Sequence, residues 1–344
     1  MSKYRKVREM LQSKIKNLTQ EEQDCVHCEF QISPLATIEE LSTTHCPSYI
    51  QRFLNGNMTD MEIRNTGFPW STQGVDRALS SVGGTVAAAT FICEALQQRQ
   101  QQQEEEDNPT TENDTNRNDS SSPPPPIWAA HVAGGTHHAF HDYGEGFCIF
   151  SDIAVAANVI RQRYAHLIKR ILIIDLDVHQ GNGNAVLFQN RNDVMTFSIH
   201  CQSNYFSKKE ISDLDVEVPA GCNDDTYLAT LRHWLSRIEK EGGEYDFVFY
   251  QAGVDVLEDD RLGKMSLSKG GVVQRNKLVY DFAKRRNIPM VITMGGGYPK
   301  DREDWSSILD AHSNVYFQAH RYISDCCGGD GVKEGEKEDV VESL

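Results

Sequence analysis

Residues 170–183, RILIIDLDVHQGNG, decide how this chain folds. They open on an apolar run, Ile171 to Ile174, of the kind a strand buried on both faces requires. Asp175, Asp177 and His179 follow at alternate positions, and residues two apart on an extended chain point the same way. Two carboxylates and an imidazole therefore line up where a buried strand ends. Left bare there they would be costly to desolvate, and a bound cation is the simplest remedy. Gly181 and Gly183 let the backbone turn sharply beside them.

Outward from this stretch the chain alternates. Strand patterns at 127–132, 170–175, 194–200, 246–251 and 289–294 are separated by helical patterns at 153–165, 185–189, 225–240 and 270–286, with a further helix at the end. The alternation predicts an α/β fold of three layers, a mostly parallel β-sheet with helices on both faces. Ligands in such folds collect at the carboxyl ends of strands. Ahead of the first strand, helices are expected at 4–17, at 38–54 with a break at Pro47, and at 80–96, with Ser71 as a candidate cap. Gly83-Gly84 lowers helix propensity and implies a close backbone approach.

Residues 97–126, QQRQQQQEEEDNPTTENDTNRNDSSSPPPP, have almost nothing to bury and are read as a disordered insertion within one catalytic domain, residues 1–326. Residues 327–344 read as an acidic disordered tail. These two segments hold −5 and −4 of the net charge of −16. No basic cluster stands out, so direct nucleic-acid binding is not expected, and an acidic surface would favour basic partners such as lysine-rich tails. The nine cysteines are an odd number and argue for reduced thiols. Cys25 and Cys28 form a lone CxxC without two further ligands nearby, so it is read as structural. No membrane-spanning run and no signal-peptide core are expected. The expected location is cytoplasmic or nuclear, with an organelle address in the basic N-terminal helix as the alternative.

Four strands end in unusual chemistry: Gly134-Gly135-Thr136-His137-His138 after the first, Asp175, Asp177 and His179 after the second, Asp255 after the fourth, and Gly295-Gly296-Gly297-Tyr298 after the fifth. Each alone has a bland reading as a turn or a helix cap; their shared placement is what argues for a site. Asp177, His179 and Asp255 would offer three ligands to one divalent ion, the open pattern of catalytic zinc, which iron(II) would also accept. Such an ion lowers the pKa of its water and polarises a carbonyl. His137 and His138 can share the proton transfers, and Tyr298 can hydrogen-bond a developing oxyanion. The parts suit amide hydrolysis.

The sequence resembles the histone deacetylase superfamily, within it the bacterial-type and class IV-like branch. The resemblance is carried by GFPWS (67–71), SVGGT (81–85), GGTHHAFHDYGEGFCIFSDIAVA (134–156), DLDVHQGNG (175–183), SDLDVEVPAG (212–221), QAGVD (251–255), DDRLG (259–263) and MGGGY (294–298). It implies the arginase/deacetylase-like fold and a zinc-dependent deacylase acting on an acylated lysine of a protein or on a small acylated amine. It implies Asp177, His179 and Asp255 as metal ligands, His138 as general base, His137 as its electrostatic partner and Tyr298 as the oxyanion donor. Asp175 would orient His137 and, with Ser198 nearby, help hold a structural potassium ion. Gly146 and Phe147 would form one wall of the acyl-lysine tunnel, with Phe206 and Leu262 as further wall residues. Asn182 departs from the aspartate that many members carry beside the second histidine, and should leave His138 less basic. Members usually carry a first strand and a His/Pro-rich loop ahead of the segment matching Lys3-Tyr4, which this sequence lacks. On that difference rests an alternative, a catalytically silent acyl-lysine-binding scaffold. An arginase-type ureohydrolase is the other alternative and would need ligands for a second ion.

Overall fold

A computed structural model describes residues 2–19, 28–107, 126–204 and 208–323. Six strands form one wholly parallel sheet: β1 (Trp128–His131), β2 (Ile171–Asp175), β3 (Val194–Cys201), β4 (Leu214–Val218), β5 (Phe247–Gln251) and β6 (Met290–Thr293), in the order β1-β6-β5-β2-β3-β4. The inner strands feed two cores. Along β2, Ile171 and Ile173 pack into one and Leu172 and Ile174 into the other; β5 divides Phe247 and Phe249 from Val248 and Tyr250 in the same way. Burial on both faces is why these strands read as unbroken apolar runs.

One face is covered by α1 (Ser2–Lys16), α8 (Asp224–Glu241), α9 (Lys269–Arg285) and α10 (Ser306–Ile323), which bury Val7, Tyr227, Val279 and Ile308 among others. The other is covered by α2 (Ile38–Ser42), α3 (Pro47–Leu54), α5 (Thr72–Asp107) and α6 (Asp152–Arg163), which bury Leu41, Phe53, Val82 and Ile153. Two short helices, α4 (Asp60–Thr66) and α7 (Asn182–Leu187), complete the described elements. Pro47 stands at the start of α3, where its missing N–H costs nothing. The close approach expected at Gly83-Gly84 is real: a Cβ on Gly84 would lie 2.3 Å from His131 Nε2.

Three differences from the sequence expectations have physical reasons. β4 is absent from the expected strands because, at the sheet edge and half-buried, its five residues alternate apolar and polar and never form the unbroken apolar run that marks the inner strands. The helix expected to end near Leu96 continues through Asp107, since Gln and Glu are good helix formers even where nothing is buried; residues 108–125 of the insertion and 324–344 of the tail region lie outside the described residues. Contrary to the expected lack of a spanning run, α5 is long and apolar enough to cross a membrane by length and composition. Its apolar residues Val82, Val86, Ala89 and Ile92 are spent on the core.

The topology also places the site. β2 pairs with β3 on one side and β5 on the other. The chain leaves β2 toward β3, but leaves β5 toward β6 on the opposite side. The following loops part there and open a crevice at the carboxyl ends of the two strands.

Candidate metal and active site

Asp177, His179 and Asp255 meet in that crevice, with one ligating atom from each lying within 4.8 Å of the others. Asp177 and Asp255 are fully buried. His179 Nδ1 lies 3.1 Å from Asp177 Oδ1 and 3.4 Å from Asp255 Oδ2. The backbone fixes the outer oxygens: Gly296 N–H donates to Asp177 Oδ2 at 2.8 Å and Val178 N–H to Asp255 Oδ1 at 3.0 Å. Asp255 Oδ2 is buried with no hydrogen-bond donor. A Cβ on Gly296 would stand 2.0 Å from that oxygen, so only glycine leaves the space open.

The electrostatics ask for a cation. Burial disfavours a charged His179, yet Asp177 and Asp255 overcome it and raise its pKa to about 10. Burial, then the neighbouring Asp177, pushes Asp255 up to about 7. Two buried carboxylates with an orphaned oxygen, facing an imidazole nitrogen, fit a divalent ion with oxygen and nitrogen ligands.

The two histidines after β1 stand beside this cluster, with ring centroids 4.0 Å apart. Their loop is pinned by buried Asp152, whose oxygens accept the N–H groups of Gly135 and Thr136 at 3.0 and 2.7 Å. From β5, Gln251 Nε2 donates to Gly135 O at 2.8 Å. His137 Nδ1 donates to Asp175 Oδ2 at 2.7 Å, and its Nε2 lies 3.8 Å from Asp177 Oδ1. Burial opposes charge on His137, but Asp175 and Asp177 raise its pKa to about 9. His138 Nδ1 donates to Asn182 Oδ1 at 2.7 Å. Burial, with His137 and His179 nearby, holds His138 well below the usual histidine range. One ring thus favours the charged form and the other the neutral form, in direct contact. Asp175 also faces Ser198 across the β2–β3 ladder.

Tyr298 ends the glycine turn after β6, 6.1 Å from the Phe147 ring. Burial raises its pKa well above the usual tyrosine value, so it is a phenol with a proton to donate. Gly146 and Phe147 both adopt positive φ, a strained conformation for Phe147, which is 45% exposed. Leu262 is tied to the cluster by its backbone: its O accepts from Asn204 Nδ2 at 2.9 Å, and that nitrogen is 3.3 Å from His179 Nε2. Phe206 lies outside the described residues.

Several residues of the site are not among those expected. Buried Asp260 accepts the N–H groups of Leu262, Gly263 and Tyr298. Lys3 Nζ lies 3.4 Å from Gly295 O and 5.2 Å from the Tyr298 ring centroid. Burial lowers Lys3 to about 8 against the pull of Asp255 and Asp177. Glu145 accepts from Asn182 Nδ2 at 2.7 Å. Asp260 and Glu145 sit inside motifs that carry the resemblance, and Lys3 lies in the segment where it begins.

Comparison with known proteins gives matches in both sequence and fold. The family model described as the histone deacetylase domain matches residues 1–314. The chain is 39% identical over 264 residues to an uncharacterised protein of Picosynechococcus, covering 77% of each chain. It is 35% identical over 176 residues to histone deacetylase 2 of Arabidopsis thaliana, covering 50% of this chain and 45% of that one, so it spans under half of the plant protein. The fold resembles the crystal structure of a histone deacetylase homologue complexed with SAHA, with a TM-score of 0.61 and 21% identity over 87% of this chain and 76% of that one.

Proposed function

Since this chain belongs to the histone deacetylase family, we propose that it hydrolyses the amide of an N-acetyl or longer N-acyl lysine, or of a related acylated amine, with zinc or iron(II) as cofactor. The observation that carries this is the meeting of the Asp177, His179, Asp255 cluster with a neutral His138 and a phenolic Tyr298 at the ends of different strands. A divalent ion held by Asp177, His179 and Asp255 would supply Lewis acidity and a more acidic water. His138 takes the proton of the attacking water at Nε2, its Nδ1 being committed to Asn182. It then returns that proton to the leaving amine. His137, kept charged by Asp175, is the electrostatic partner: its positive charge holds His138 neutral before the proton is taken and favours the negative charge that develops on the substrate. Tyr298 donates its hydroxyl proton in a hydrogen bond to the developing oxyanion. Phe147, Gly146 and Leu262 would line the approach of an extended acyl-lysine side chain, and Asp175 with Ser198 would hold a structural potassium ion.

The test is turnover by the purified chain of acetyl- and long-chain-acyl-lysine peptides and of acetylpolyamines, with and without chelator. Turnover that chelator abolishes and zinc restores is the expected result. Tyr298→Phe and His138→Ala should each lose most activity while keeping the metal. Full activity in both would overturn these roles.

A further inference from the structure

Asn182 is hydrogen-bonded on both ends of its amide. Its Oδ1 accepts from His138 Nδ1 at 2.7 Å, and its Nδ2 donates to Glu145 Oε1 at 2.7 Å. We infer that Glu145 is a positioning residue for His138, acting through Asn182 to fix which imidazole nitrogen carries the proton. This rests on the deacylase reading above for its kinetic consequence, though not for its structural one.

The polarity of the chain of bonds follows from the inventory of donors and acceptors. A primary amide has a donating end and an accepting end, so by itself Asn182 could face His138 either way. A carboxylate only accepts. With Glu145 on the far side, the NH2 end must face outward and the carbonyl oxygen inward. The oxygen in turn accepts only a proton from His138 Nδ1. Nε2 is left with its lone pair, which is the form a general base needs. An aspartate at position 182 would enforce the same tautomer directly. Here the carboxylate stands one residue further out, and the amide passes on its directional information without placing a full charge against the imidazole.

The placement supports this use. Asn182 is fully buried at the start of α7, so no solvent competes for its amide. Glu145 lies in the same loop as Gly146 and Phe147, half-buried. Its backbone is tied down as well, since Cys148 N–H donates to Glu145 O at 2.9 Å. The residue thus has a fixed origin from which to reach the amide.

Three substitutions separate the inference from a merely structural role. Glu145→Gln keeps an oxygen that can accept from Asn182 and should stay within about threefold of the parent kcat. Glu145→Ala frees the amide and should cost about tenfold in kcat with little change in KM. Glu145→Lys places a donor where an acceptor stood, draws the Asn182 oxygen outward, and should cost about a hundredfold, near the full worth of a general base. Long-range 1H–15N spectra of the metal-free protein, with His138 assigned by difference against His138→Gln, read the tautomer without needing turnover. The expected result is an Nδ1–H ring in the parent and Glu145→Gln chains and an Nε2–H ring in Glu145→Lys. If the ring keeps its Nδ1 proton in all three, the inference is overturned; should Glu145→Lys not fold, the Ala and Gln pair decides by the same readouts. Absence of turnover in the parent would sink the deacylase reading alone, because the spectra still judge the relay.

Discussion

Asp260 holds Tyr298 by its backbone, its Oδ2 accepting the tyrosine N–H at 2.5 Å while Oδ1 accepts Leu262 and Gly263 N–H at 2.7 Å each. One buried carboxylate therefore sets the backbone of Tyr298, the proposed oxyanion donor, and of Leu262, the proposed wall residue, together. Asp260→Asn keeps the size but supplies only one oxygen, leaving an NH2 group facing an N–H. The expected loss is about 1–3 kcal/mol of stability for the unsatisfied donors, with kcat falling by up to about a hundredfold from misplacement of Tyr298. Urea unfolding and steady-state kinetics on the same preparation check both. A full kcat in a destabilised variant would separate Asp260 from the chemistry.

Metal should appear as stability. With zinc in free excess at about 100 times its dissociation constant, a site present only in the fold adds about 2.7 kcal/mol. Asp255→Asn keeps the oxygen that accepts Val178 N–H and removes a buried carboxylate that burial and Asp177 disfavour. The metal-free variant should therefore melt no lower than the parent, yet its melting temperature should no longer rise with zinc. A zinc response equal to the parent's would remove Asp255 from the ligand set.

Stability should also fall with acid through a buried histidine that is not one of the proposed ligands. His45 Nδ1 donates to Phe140 O at 2.9 Å, and its Nε2 accepts Ser151 N–H at 3.0 Å, so the fold holds it neutral. Burial lowers its pKa from 6.5 to about 4. Because the folded value lies below the unfolded one, the contribution is complete above pH 6.5 and is lost as pH falls toward 4. The slope in that window is about 1.4 kcal/mol per pH unit for one proton. Urea midpoints at a series of pH values should show His45→Gln with a slope shallower by one proton; an unchanged slope would place the acid sensitivity elsewhere.

What could be read from the sequence was whatever depends on short spacings. The alternation of Asp175, Asp177 and His179 at the end of an apolar run needs no tertiary information, and the strand-end groups could be gathered once the βα alternation was recognised. α4 is legible in the same way: Thr59 and Glu62 form a reciprocal capping box, a pattern visible as Thr-x-x-Glu. Other features were not legible. Lys3 reaches carbonyls almost the whole chain away, and Asn204 reaches both His179 and Leu262 from a loop with no motif. Their meaning lies only in where the sheet brings them.

Arg275 gives the last test, because nothing in its sequence context marks it. It is fully buried on α9, and its guanidinium donates to Leu176 O at 3.2 Å and Gly253 O at 2.6 Å. Those carbonyls belong to the segments that follow β2 and β5, each one or two residues from a proposed ligand, Asp177 or Asp255. One nitrogen, Nη1, holds both carbonyls, while Nε and Nη2 donate to Asn276 Oδ1 at 3.1 and 2.9 Å and fix the plane of the guanidinium; an ammonium offers a single nitrogen and cannot hold the carbonyls and Asn276 together. Arg275→Lys should therefore be a poor replacement, destabilising the fold by about 3–5 kcal/mol, the usual cost of leaving buried charged or polar groups without their partners. In the folded fraction, zinc affinity should drop by about 10- to 100-fold, the range typical of lost support behind metal ligands. Melting curves and zinc titration by competition with a fluorescent chelator measure the two effects apart. If Arg275→Lys lowers stability while zinc affinity stays at the parent value, the arginine braces the core and does not govern the spacing of the carboxylates.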